Sequence, residues 1–159
     1  MKNIDNYIVE KLKINKNSVN YNYFPKDWDE LHHLVDDLID KRGKNANLND
    51  IDVSKVEDFT GIFNGFDIRN IDISKWNVSN AKNMQQMFSW CDWLDCDLSG
   101  WDVSNVENME SMFYNCTSFK GKGLENWNVK KVEDMDYMFY NCKSLKNKPS
   151  WYKGKEEDD

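Results

Sequence analysis

The chain has 159 residues, which is room for one domain or for a cap followed by a short repeat array. Aromatic residues at 14%, with seven Trp and eight Phe, exclude a disordered chain, and a net charge of −7 speaks against direct nucleic-acid binding, which needs clustered Lys and Arg. No stretch approaches the about 20 apolar residues of a membrane helix and no signal peptide follows Met1, so a cytoplasmic or virion-associated product with no membrane contact is expected.

In chain order, residues 1–47 read as an N-terminal α/β cap. Residues 7–24 suggest two short strands. Residues 27–42 then form one amphipathic helix, with Leu31, Leu34, Val35, Leu38 and Ile39 on one face. Asp27 is its N-cap with Glu30 three residues on, and Gly43 suits the position just past its end.

Residues 48–145 hold four copies of one unit. The clearest runs from Leu98 to Phe113, with counterparts at Ile73–Phe88, Leu124–Phe139 and, more loosely, Leu48–Phe63. Val53, Val78, Val103 and Val129 are spaced by 25, 25 and 26 residues, and Phe63, Phe88, Phe113 and Phe139 repeat those intervals. Two columns agreeing on the extra residue make the period secure. Trp76, Trp101 and Trp127, with Met84, Met109 and Met135, follow the same count and complete the expected core.

Inside a copy the periodicity switches. Leu98, Trp101 and Val103 fit a short strand with Asp102 facing the other way. Val106, Met109, Met112 and Phe113 then fit a helical face. Ser104 with Glu107, and Ser54 with Glu57, look like capping boxes; Ser79 faces Lys82 instead, and Lys130 replaces the cap in the fourth copy. A single such unit cannot bury its own apolar face, so the copies must stack. The fold class expected is an α/β solenoid: a leucine-rich-repeat-like, right-handed stack of short parallel strands and short helices. Residues 146–159 read as a truncated repeat, begun by Ser150-Trp151-Tyr152, and an acidic tail.

The strings Trp76-Asn77-Val78-Ser79-Asn80 and Trp101-Asp102-Val103-Ser104-Asn105, each followed by Met-x-x-Met-Phe, resemble the 25-residue repeat of BspA-like leucine-rich-repeat surface proteins. That repeat is also common in mycoplasma proteins of unknown function. The segment from Tyr23-Phe24-Pro25 to Asp52 resembles the lead-in of phage and mobile-element members. The resemblance implies a repeat protein used in protein–protein or host-surface contact. It departs from the leucine-rich pattern at the buried Asn position, where Val106 stands and Asn105 comes one residue early.

No constellation in the sequence points to catalysis. Cys91, Cys116 and Cys142 recur in the column of Phe66 and read as small buried apolar groups, with Cys96 apart from them; C-x2-C pairs for zinc are absent. His32 and His33 have no nucleophile motif beside them, and no glycine-rich phosphate loop is present. No enzyme activity, metal or cofactor is expected. The candidate protein-binding residues are the aromatics Trp90, Trp93, Tyr114, Tyr137 and Tyr140, the polar column Asp52, Asn77, Asp102 and Asn128, and the acidic Glu110 and Asp136. The function expected is a non-enzymatic interaction module whose partner is another protein. The alternatives are a phage virion structural or assembly component, and an acidic inhibitor of a host defence protein.

Overall fold

The computed structural model describes residues 20–156. Its one helix, α1 (Trp28–Arg42), follows from local signals. The Asp27 carboxylate accepts the Glu30 amide at 3.0 Å, and Glu30 in turn accepts the Lys26 amide at 3.0 Å, so two otherwise orphaned N–H groups are satisfied. Asp29 and Glu30 in the first turn and Lys41 and Arg42 in the last complement the helix dipole. Gly43, at φ 83°, ends the helix by donating its amide to the Ile39 carbonyl. The buried face of Leu31, Val35, Leu38 and Ile39 belongs to one core with the repeats, and the Trp28 indole donates to the Thr60 carbonyl at 2.6 Å. The Arg42 guanidinium grips both oxygens of Asp50 at 2.8 and 2.9 Å, tying the C-terminal end of α1 to the first repeat.

The expected α/β solenoid of parallel strands and short helices, with the leucine-rich-repeat architecture it implied, is not what forms. Among the described residues there is no second helix and no strand, only isolated parallel bridges: Tyr23 to Ile51, Asn47 to Asp72, and the series Asp58, Asn83, Asn108, Asp134. Between these bridges the repeats run as successive tight turns. Of the two N-terminal strands expected in residues 7–24, residues 7–19 lie outside the described residues, and the remainder contributes only the Tyr23 bridge.

The physical reason is visible in the dihedrals. Gly61, Gln86, Ser111 and Tyr137 occupy one column and sit at φ 61°, 53°, 54° and 56°. Gly65, Trp90, Asn115 and Asn141 occupy a second, at φ 74°, 63°, 59° and 56°. Two left-handed residues per copy stop a right-handed helix before its second turn. The amides divide accordingly. Phe59, Gly61, Phe63 and Gly65 donate sideways to carbonyls of the next copy (Asn83, Gln85, Met87, Ser89) at 2.8–3.0 Å, while Ile62 and Asn64 close turns within their own copy. Met84, Gln86, Phe88 and Trp90 do the same one copy later, and so do Met109, Ser111, Phe113 and Asn115. A helix would have kept all these bonds to itself.

The strand fails for a parallel reason. The Trp101 amide folds back to the Leu98 carbonyl at 3.1 Å, as Trp76 does to Ile73 and Trp127 to Leu124, which an extended chain cannot do. The expected helix caps are turn devices as well: the Ser54 and Ser104 amides donate to the side chains of Asp52 and Asp102 at 3.0 Å, forming Asx turns.

Equivalent side chains nonetheless lie on one another. The rings of Phe63, Phe88, Phe113 and Phe139 stack nearly parallel at centroid spacings of 5.2, 5.4 and 5.8 Å. Trp76 stacks on Trp101 at 6.4 Å, and Trp127 on Trp151 at 6.1 Å. Each indole N–H of the stacked tryptophans is satisfied by the preceding copy: Trp76 by Leu48, Trp101 by Ile73, Trp127 by Leu98 and the partly buried Trp151 by Leu124, at 2.9, 3.1, 3.4 and 2.8 Å. The long Trp127 contact follows the extra residue of the third interval, which falls between Phe119 and Leu124. Gly123 in that loop has φ 93° and lies so close to the Ser99 backbone that an added Cβ would meet its nitrogen at 2.2 Å, so only glycine fits.

At the C-terminal end the stack is closed by the residues around Trp151. Tyr152 packs edge-on against Phe139 at 5.0 Å, and Tyr137 donates its amide to the Lys155 carbonyl at 2.7 Å.

Candidate protein-binding surface

The core residues Trp76, Trp101, Trp127, Val78, Val103, Met84, Met109, Phe63, Phe88, Phe113 and Phe139 are buried, while Val129 and Met135 in the last copy are only partly so. The cysteine column is interior too. The Cys91, Cys116 and Cys142 thiols donate to the Phe63, Phe88 and Phe113 carbonyls at 2.9, 2.9 and 3.0 Å, one copy back. Burial pushes the Cys91 and Cys142 thiols up to about 12 and raises Cys116 and Cys96 as well, so these thiols stay protonated and unreactive in the folded state. No group of three His, Cys, Asp or Glu placed to hold a metal occurs among the described residues. His32 stacks on Trp28 at 4.8 Å, and His33 Nδ1 is bonded to the Asp29 carbonyl at 2.8 Å.

The polar column turns inward chemically, if not spatially. Asp52, Asn77, Asp102 and Asn128 each accept the amide two residues on, from Ser54, Ser79, Ser104 and Lys130, at 3.0, 3.2, 3.0 and 3.3 Å. The bonds from Ser104 hold the Asp102 carboxyl below the usual carboxylate range. A second column with the same job escaped the sequence reading. Asp58, Asn83, Asn108 and Asp134 accept the amides of Thr60, Gln85, Glu110 and Asp136 at 2.9, 3.0, 2.8 and 2.9 Å. Its signal was available: a polar Asx residue directly precedes the first Met or Phe of each copy. The acidic candidates are engaged as well, Glu110 by the Gln85 side chain and Asp136 by the Lys155 amide at 2.8 Å.

The aromatics separate into two groups. Trp90, Tyr114 and Tyr140, from three successive copies, form a continuous surface row. Trp90 meets Tyr114 at 5.8 Å and 51°, and Tyr114 stacks on Tyr140 at 4.8 Å and 13°. Trp90 is 59% exposed, Tyr140 40%, and Tyr114 is half-buried between them. Trp93, 57% exposed, lies three residues past Trp90 with the Arg69 guanidinium 5.5 Å above its ring, a contact the sequence did not signal. Tyr137 is not in the row; it is half-buried, and its amide serves the C-terminal closure.

Trp90 is the costly residue of the row. Its column is filled elsewhere by Gly65, Asn115 and Asn141, the types that tolerate a left-handed backbone. A tryptophan at φ 63° carries roughly 1–2 kcal/mol of backbone strain and leaves a large apolar ring in water. The turn needs the left-handed backbone in every copy, but it does not need a tryptophan there.

No helix among the described residues is long and apolar enough to cross a membrane. Residues 32–152 match a family model described as Mycoplasma protein of unknown function, DUF285. No curated protein and no solved structure matched the chain.

Proposed function

The chain belongs to the DUF285 family of Mycoplasma proteins of unknown function, and from that premise we propose that it is a non-enzymatic module that binds another protein through the row Trp90–Tyr114–Tyr140. The observation that carries this is Trp90, an exposed indole held at a strained backbone position that sister copies fill with Gly or Asn. The left-handed turn belongs to the fold in every copy, but a large apolar ring left in water there is not needed by the turn, and such exposure favours an interaction. Rings fixed in a row by stacked turns lose little conformational entropy when a partner covers them, and Trp and Tyr dominate the energetics of protein interfaces. The likeness of Trp101-Asp102-Val103-Ser104-Asn105 to the repeat of BspA-like surface proteins favours the same reading.

The test is capture from an extract of the producing cell with the immobilised chain. A protein retained by the unaltered chain should be lost at least about tenfold with the Trp90→Gly/Tyr140→Ala double variant, and should persist with Asp36→Asn on the exposed face of α1. Equal retention by all three would remove the aromatic row as the site.

A further inference from the structure

The return loops of the last two copies are rich in lysine. Residues 116–124 and 141–155 carry seven Lys and no carboxylate, in a chain whose net charge is −7. Three of these, Lys120, Lys143 and Lys146, line an open depression of about 600 Å³ together with Ser144 and Asn147. The return loops of the third and fourth copies are brought side by side there, by the Ser144 amide donating to the Thr117 carbonyl at 3.1 Å. Lys143 follows Tyr140 by three residues in the chain.

The ammonium groups differ in how they are committed. Lys120 reaches Asp95 at 2.6 Å, and Lys122 beside it reaches Asp97 at 2.6 Å. Lys148 pairs with Glu156. Among the described residues Lys143 and Lys146 have no carboxylate within 4 Å, although both are exposed and the molecule as a whole is acidic. Two free cations and a shared third thus face one concavity, which Ser144 and Asn147 supplement with neutral hydrogen-bonding groups.

We propose that this depression receives a short acidic peptide segment of the partner, its carboxylates on Lys143, Lys146 and Lys120. The inference rests on the protein-binding reading and gives the partner's chemistry. Charge complementarity selects the occupant. The three ammonium groups lining the depression suit two or three carboxylates. A continuous phosphate backbone needs a longer basic track and would run onto the acidic remainder of the surface.

The experiment is fluorescence anisotropy with three labelled probes: a peptide of six glutamates around one tyrosine, the same peptide with lysines for glutamates, and a thymidine decamer. The glutamate peptide should bind, weakening at least about tenfold between about 50 and 300 mM salt, and at least about tenfold with Lys143→Glu/Lys146→Glu. The lysine peptide should not bind. A Lys143→Gln/Lys146→Gln variant, with its thermal midpoint compared to the unaltered chain, separates lost charge from lost fold; it should also weaken binding. Failure of the glutamate peptide to bind, indifference to either pair of substitutions, or equal affinity for the thymidine decamer would overturn the proposal. The protein-binding reading fails separately, in the capture experiment on Trp90 and Tyr140.

Discussion

Gln86 isolates the cost of a left-handed backbone better than Trp90 does. Its φ is 53°, its side chain is exposed, and its column is opened by Gly61 in the first copy. Replacing it by glycine removes roughly 1–2 kcal/mol of steric strain and adds roughly 0.5–1 kcal/mol of unfolded-chain entropy. Gln86→Gly should therefore stabilise the protein by about 0.5–1 kcal/mol in urea melts, whereas Gln86→Val, β-branched at positive φ, should cost at least about 1 kcal/mol. If both variants melted with the unaltered chain, the left-handed column would not be a source of strain. Trp90→Gly mixes the same relief with loss of the Tyr114 contact, so its stability should change by less than about 1 kcal/mol while binding falls. The same columns show where the sequence was opaque. Only the first copy writes its two left-handed positions as glycine; Gln86, Ser111, Tyr137 and Trp90 do not announce positive φ, and Asn115 and Asn141 permit it without requiring it.

At the scale of elements, α1 was legible because every signal agreed: an Asp27 cap, a 3.6-residue apolar stripe and Gly43 at the end. The repeat helices were misread because Met109, Met112 and Phe113, spaced by three and one, describe tandem turns around a core as well as they describe a helix. Periodicity reports which residues face inward; it does not report where their amides go. The bond between α1 and the first repeat gives a pH prediction. Hydrogen bonding to Arg42, helped by Asn22, holds the Asp50 carboxyl down to about 2 from an ordinary 3.8. Its folded-state pKa is thus depressed, and between these values the unfolded chain binds the proton more readily. The stability it contributes is complete above about pH 4 and is lost as pH falls toward 2. Asp50→Asn should flatten the acid limb of a thermal-midpoint profile in that window and lower the midpoint at pH 7; an unchanged acid limb would show that the Arg42 pair does not govern it.

For the whole molecule the stacking has a dynamic consequence. Each copy bonds to its neighbours through lateral amides and ring columns, so opening should proceed from an end rather than everywhere at once. The two ends are unequal. α1 covers the first copy with four buried residues, whereas Val129, Val132 and Met135 in the last copy are only partly buried and depend on Trp151 and Tyr152. Cys142, Cys116 and Cys91 mark three successive copies, and each thiol is protonated and inaccessible until its copy opens. Alkylation followed by peptide mass mapping should therefore label Cys142 first, Cys116 next and Cys91 last. Trp151→Ala removes an indole that donates to the Leu124 carbonyl and stacks on Trp127, which should cost the last copy roughly 1.5–3 kcal/mol and raise Cys142 labelling at least about tenfold. Cys91 should respond far less, because the intact third copy separates it from the weakened last one. One common rate for all three thiols, rising together in Trp151→Ala, would mean instead that the stack opens as a single unit.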